Sequence, residues 1–195
     1  MNRNDMNEPL PEVGELEEEL KRTKHRQRYN SVLRSTIYSL IVVAAVAVLV
    51  ATLWMPVMRT YGSSMTPTIE DGNIIVAWKS TKFTTGDLLA FYADNKLLVK
   101  RVIAGPGEWI RIEDDGTVYV NDVQIDEPYV TEKALGNCNI EFPYQVPESQ
   151  WFVMGDHRAT SSDSRNTAVG CVTADRVVGV VRFRVWPLES FGFVW

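Results

Sequence analysis

Chemistry could start at three short segments of this chain. The first, Gly62-Ser63-Ser64-Met65-Thr66-Pro67-Thr68, offers serine hydroxyls between an apolar stretch and the next extended run. A serine near Gly and Pro is ordinarily a turn residue, and it becomes a nucleophile only when a base can take its proton. The second segment, Leu97-Leu98-Val99-Lys100-Arg101-Val102-Ile103, supplies a candidate base. Period-two alternation in a strand gives Leu98, Lys100 and Val102 one face. A lysine so flanked either snorkels from an edge or is partly desolvated. Desolvation disfavours the ammonium, lowers its pKa and leaves an amine able to accept a hydroxyl proton. That is the Ser-Lys form of nucleophilic catalysis. The third segment, Gly155-Asp156-His157-Arg158-Ala159-Thr160-Ser161-Ser162-Asp163-Ser164-Arg165, follows an apolar run and taken alone is a polar loop. Rigid sheets often present catalytic groups on such loops.

The elements that must position these groups are extended runs. Residues 73–78, 87–92, 97–104, 109–113, 118–120, 151–154 and 176–185 read as short β-strands separated by turn signals. Asp114-Asp115-Gly116 is a hairpin signal, because Gly can take the positive φ of a tight turn, and Asn121-Asp122 ends the next arm in the same way. No amphipathic helix of a dozen residues follows Arg59, and no internal repeat is visible. The expectation is a mainly β domain over 59–195, a twisted antiparallel assembly closed on itself.

Ahead of that domain, the twenty-four residues between Arg34 and Arg59 carry no formal charge. A helix over 35–58 would be roughly 36 Å long, enough to cross a hydrocarbon core of about 30 Å. A removable signal sequence expects a shorter apolar core after a short basic start, not a thirty-residue leader. Lys21, Arg22, Lys24, Arg26, Arg28 and Arg34 precede the span, whereas only Arg59 and Lys79 follow closely, so the N-terminus is expected in the cytoplasm and the β domain outside. Residues 1–34, acidic at Glu8, Glu12, Glu15 and Glu17 to Glu19, are expected to be a largely disordered tail with helix only toward Leu16–Arg28. The net charge of −5 argues against a nucleic-acid partner.

The three segments, in this order after a single span, resemble the bacterial type I signal peptidases. The resemblance covers nearly everything from Tyr61 to Val185 and rests on five stretches. They are Ser64-Met65-Thr66-Pro67-Thr68, Gly86-Asp87-Leu88-Leu89-Ala90-Phe91, Lys100-Arg101-Val102-Ile103 with Gly105-Pro106-Gly107-Glu108, Val118-Tyr119-Val120-Asn121, and the loop from Gly155 to Arg165. It implies a membrane-anchored serine endopeptidase acting on preprotein signal peptides, without metal or cofactor and as a monomer. On the matching positions Ser64 is the nucleophile, Lys100 the general base, and Ser161 the second serine that holds the amine. Met65 packs beside the dyad, Asp163 and Arg165 form a buried supporting pair, and Asp156 and Arg158 occupy the Gly-Asp-x-Arg positions.

Two departures bear on chemistry. Gly62 stands where some members have an oxyanion-binding serine, so oxyanion donors must come from backbone N–H groups, that of Ser64 first and Gly62 beside it. His157 replaces the usual Asn, which would allow a Ser-His-Asp arrangement with Asp156 or Asp163. With Lys100 in place, His157 is more simply a loop residue, and His25 falls in the cytoplasmic tail. Cys138 and Cys171 share the outer side, where a disulfide could persist, but spacing does not decide whether they pair. They and His157 lack the short spacing of a zinc site. Trp186, Phe191, Phe193 and Trp195 read as core, interface anchors or both, with Trp186 favoured as core. Two rivals remain: a soluble Ser-Lys autoprotease of the repressor type, disfavoured by the span, and a non-catalytic tethered β domain, disfavoured by intact Ser64, Lys100 and Ser161.

Overall fold

The computed structural model describes residues 13–194, so the first twelve residues of the expected tail, with Glu8 and Glu12, and Trp195 lie outside it. One helix, α1 (Val13–Trp54), runs without interruption from the polar N-terminal segment through the apolar stretch. It begins three residues before Leu16 and ends four residues short of the expected boundary at 58. The end has a local cause: Pro56 disfavours helical φ/ψ at Met55, and the chain leaves as a strand. Within α1 the stretch Leu20–Trp54 has a mean hydropathy of 2.5 in its most apolar window and is long enough to cross a bilayer. Its side chains are exposed, Val42, Val46 and Leu49 among them.

The rest of the chain is a separate compact unit built of antiparallel strands. In chain order they are β1 (Val57–Arg59), β2 (Ile74–Trp78), β3 (Leu88–Ala93), β4 (Lys96–Ala104), β5 (Trp109–Ile112) and β6 (Val118–Val120). There follow β7 (Val123–Gln124), β8 (Tyr144–Gln145), β9 (Gln150–Met154), β10 (Val172–Thr173), β11 (Val177–Trp186) and β12 (Gly192–Phe193). The larger sheet has the order β1-β2-β11-β3-β4-β9-β10, with β12 also paired to β11. The smaller has the order β7-β6-β5-β8. Each of the seven strands expected from alternation is present within a residue or two.

Local chemistry explains the joints. Gly116 takes φ +85° at the β5–β6 turn, and a Cβ there would fall 2.3 Å from Ala134 N. Asn121 and Asp122, at φ 51° and 64°, make the two-residue left-handed turn between β6 and β7. In β11 the β-branched run breaks register at Gly179, where a Cβ would lie 2.8 Å from Trp78 O on the neighbouring strand.

Three apolar clusters fill the domain. Met58, Met65, Ile69, Ile75, Leu88 and Val181 pack under the start of the larger sheet. Leu89, Phe91, Val102, Val153 and Val180 lie beneath its middle. Ile103, Ile110, Val118, Phe152 and Met154 join it to the smaller sheet. Trp186 belongs to none of them: contrary to the core expectation it is 51% exposed, as are Phe191 and Phe193 at 57% and 66%. It sits at the last position of β11, beyond the buried stretch of that strand, while Phe191 and Phe193 pack edge-on against Phe183.

Candidate active site

Lys100 sits in the interior of β4, opposite Leu89 of β3, and is 2% exposed. Its Nζ lies 2.5 Å from Ser64 Oγ, so the strand and the loop after β1 meet at a base and a hydroxyl. Burial lowers the amine from its ordinary 10.5 to about 8. Asp163 opposes that shift, Arg165 adds to it, and Asp156 opposes it more weakly. No carboxylate forms an ion pair with Lys100 among the described residues. An amine with these surroundings is substantially neutral at mildly alkaline pH and can accept a proton from the serine it touches.

Ser64 is held from both sides. Thr66 donates from N and Oγ1 to Ser63 O at 3.1 and 2.6 Å, and Ile69 N donates to Met65 O at 2.8 Å, which shapes a tight turn around Ser64. Met65, 4% exposed, anchors that turn in the core. His157 N donates to Ser64 O at 3.2 Å and so ties the turn to the 155–165 loop. The His157 ring instead meets Thr160 Oγ1 at 2.8 Å, as expected of a loop residue. Gly62 N donates to the Asp71 carboxylate at 2.7 Å, so this N–H, expected to help bind an oxyanion, is already engaged. Ser64 N–H has no protein acceptor among the described residues.

Three buried arginine–carboxylate pairs involve the strand and loop segments that carry or contact Lys100 and Ser64. Arg165 grips Asp163 through Nε and Nη2, both at 2.8 Å, as expected for the supporting pair. Asp163 Oδ2, which accepts from Arg165 Nη2, also accepts from Gly155 N at 2.9 Å, and Arg165 also donates to Leu135 O and Arg158 O. Asp156 and Arg158 reach outward to different partners. Asp156 accepts from Arg101 Nε and Nη2 at 2.9 and 2.7 Å, and Arg158 is paired bidentately with Glu127. Arg101, next in sequence to Lys100, also donates to Gly86 O and stacks 3.9 Å over the Tyr129 ring. Arg101, Glu127, Tyr129 and Thr68, which donates to Asp156, are thus supporting residues that sequence reasoning left without a role. Their signal was faint: an arginine beside the lysine, and a Glu127-Pro128-Tyr129 stretch in an otherwise irregular interval.

Ser161 is brought close but does not touch the amine. Its Oγ is buried without a hydrogen-bond partner, and its N–H donates to His157 O at 3.1 Å. A Cβ on Gly155 would fall 2.2 Å from Ser161 Oγ and 2.4 Å from Ser64 O, so these three residues are packed as closely as a missing side chain permits. Cys138 and Cys171 are both free thiols, the second buried beside Tyr144.

An apolar groove of about 720 Å³ runs up to Ser64. Residues 56–62 form one wall and residues 96–99 of β4 the other. β1 pairs only with β2, and β4 pairs with β9 only from Arg101 onward, so both walls present a free strand edge. Met65, Ile69, Val99 and Val178 line the groove between them.

A β domain that sets a buried amine of lowered pKa against a serine at the end of an apolar groove has the equipment of a hydrolase. The family described as signal peptidase, peptidase S26, matches residues 33–186. A signal peptidase I of Bacillus licheniformis is 34% identical over 167 residues, covering 79% of this chain and 89% of that one. One of Bacillus caldolyticus is 38% identical over 164 residues, covering 74% and 88%. The crystal structure of a signal peptidase I from Enterococcus faecalis V583 aligns with a TM-score of 0.42 at 31% identity, over 51% of this chain and 96% of that one. The chain belongs to the signal peptidase family, peptidase S26, and is a peptidase.

Proposed function

We propose that this chain is a membrane-bound serine endopeptidase that removes N-terminal signal peptides from exported preproteins after small residues at −1 and −3. The observation that carries the reading is the 2.5 Å contact between Lys100 Nζ and Ser64 Oγ, with the amine buried and its pKa drawn down to about 8. A preprotein would enter the groove extended and add a strand to the free edges of β1 and β4, with backbone pairing supplying affinity. Met65, Ile69 and Val99 line the groove that reaches Ser64 with apolar side chains, against which small residues at −1 and −3 would pack.

Neutral Lys100 takes the Ser64 proton as Oγ attacks the carbonyl carbon, and Ser64 N–H receives the developing oxyanion. The ammonium of Lys100 then protonates the leaving amine and the C–N bond breaks, giving an acyl-enzyme and a neutral lysine. The same amine removes a proton from water as the water attacks the ester, and the ammonium returns that proton to Ser64 Oγ as the ester C–O bond breaks, releasing the signal peptide with Ser64 and neutral Lys100 regenerated. The pairs Arg101–Asp156, Arg158–Glu127 and Arg165–Asp163 hold strand and loop in place and do not react.

The helix Leu20–Trp54 supports a single-pass anchor in the plasma membrane, and the Lys and Arg residues preceding its apolar part support a cytoplasmic N-terminus. The test uses detergent-solubilised full chain with a preprotein. Cleavage at the expected small-residue site should vanish in Ser64→Ala and in Lys100→Ala. Persistence in Ser64→Ala refutes the assignment.

A further inference from the structure

The segment that leads into Ser64 is stitched to a second loop that takes no part in the reaction above. Thr60 N donates to Asn73 O at 2.9 Å, Gly72 N donates to Thr60 O at 2.9 Å, and Thr60 Oγ1 donates to Glu70 O at 2.7 Å. Two residues on, Gly62 N donates to Asp71 Oδ1 at 2.7 Å. That is the last anchor before Ser63 and Ser64, and Gly62 makes no other hydrogen bond among the described residues.

Among the described residues nothing else fixes Gly62. Gly62 is exposed, has no side chain, and a Cβ built on it would meet no atom within 4 Å. Its φ of +87° lies in the region that glycine enters at least cost, and glycine is also the residue with most backbone freedom to lose. A short hydrogen bond to an ionised carboxylate is stronger than one between neutral groups, so it can hold such a residue in one geometry. The same bond takes the Gly62 N–H out of use as an oxyanion donor and leaves the developing charge to Ser64 N–H.

We propose that Asp71 is a positioning residue: by holding Gly62 it sets the angle at which Ser64 meets the scissile carbonyl. The proposal rests on Ser64 being the nucleophile. A misplacement of about 1 Å in a reacting group can cost on the order of a hundredfold in rate. Asp71→Ala should therefore lower kcat by roughly ten- to a hundredfold, with KM within about twofold. Asp71 is exposed, so the melting temperature should stay within about 2 °C of wild type. Asp71→Asn keeps an oxygen that can accept from Gly62 N and should recover most of the loss.

The experiment measures steady-state kinetics and thermal melts of the full chain in detergent, with a fluorogenic peptide bearing small residues at −1 and −3. A kcat for Asp71→Ala within twofold of wild type overturns the proposal. So does an Asp71→Asn variant no better than Asp71→Ala, or a loss of kcat matched by a loss of folded protein. Ser64→Ala is run in parallel. If it still cleaves, the nucleophile assignment has failed; if it is inactive while Asp71→Ala is normal, only the positioning role has failed.

Discussion

Lys100 is the residue at which this fold sacrifices stability, and the size of the sacrifice can be worked out. Burial lowers the amine from 10.5 to about 8, and the residue is 2% exposed, so solvent screening removes little of that shift. Between those two pH values the unfolded chain binds a proton that the folded chain has released, and stability therefore rises with pH through that window. Below about pH 8 both states are protonated and the folded protein carries the full penalty, about 3 kcal/mol at 1.36 kcal/mol per unit. Above 10.5 the penalty is gone. Lys100→Met removes the titrating group at similar length and fills the same apolar slot. The variant should be inactive yet more stable than wild type by about 3 kcal/mol at pH 6 to 7, and the gain should shrink toward pH 10. Denaturant unfolding of both full chains in the same detergent, followed by tryptophan fluorescence at several pH values, reads the difference directly. A Lys100→Met variant that is less stable than wild type at pH 7, or a difference that does not change with pH, would refute the reasoning.

Three further outcomes follow from the same geometry. With chemistry limiting, single-turnover cleavage should rise about tenfold per pH unit and level off above about 8; a rate flat from pH 6 to 9 would mean that Lys100 is not the base. Ser161→Ala removes a buried hydroxyl that has no partner, so stability should hold or improve by about 1 kcal/mol with kcat within about twofold of wild type; a large loss of kcat would show that the hydroxyl reaches the Lys100 amine during turnover. Gly155→Ala would drive a methyl to 2.2 Å from Ser161 Oγ and 2.4 Å from Ser64 O, and backbone cannot yield there as a side chain could. It should lose activity and at least about 1–3 kcal/mol of stability, whereas a variant with native melting and native rate would show that the loop has slack.

What the sequence made legible follows from the range of the forces involved. Strands such as β4 and β11 announce themselves because five to ten residues of β-branched and apolar side chains carry their own pattern. β7, β8, β10 and β12 are two residues each, too short for any alternation, and exist only because a longer strand offers an edge. The helix boundary was misplaced for a similar reason: the charge-free run continues to Met58, but Pro56 turns it into β1. At the site, Lys100 stood out in the sequence because a lysine in an apolar strand is an anomaly that asks for a cause, and the structure brings it to Ser64. The partners of Asp156 and Arg158 did not stand out, since they lie 55 and 31 residues away, and adjacency in sequence says nothing about which guanidinium meets which carboxylate. Trp186 was misread because a large aromatic is as compatible with an exposed strand end as with a core.

The buried charges that act on Lys100 are Asp163, Arg165 and Asp156, and their signs bear on why the amine keeps a lowered pKa beside them. A lone arginine would drive the proton off Lys100 but would be a buried charge without a partner, and a lone carboxylate would hold the proton on. The Asp163–Arg165 pair keeps the geometric stiffness of a guanidinium–carboxylate fork while the two influences on Lys100 oppose one another, so that burial dominates. Asp163→Asn breaks that balance in a defined direction. It removes the stronger of the two carboxylates that favour the ammonium and leaves Arg165, which disfavours it, in place. The amine should then lose its proton more readily, and the alkaline rise in activity should move below pH 8 even as the unpaired Arg165 costs about 3–5 kcal/mol of stability. Among molecules that remain folded, a midpoint unchanged or displaced upward would mean that Asp163 does not act on Lys100 through its charge. Its contribution would then be the hydrogen bond that fixes Gly155, and with it the backbone against which Ser64 is packed.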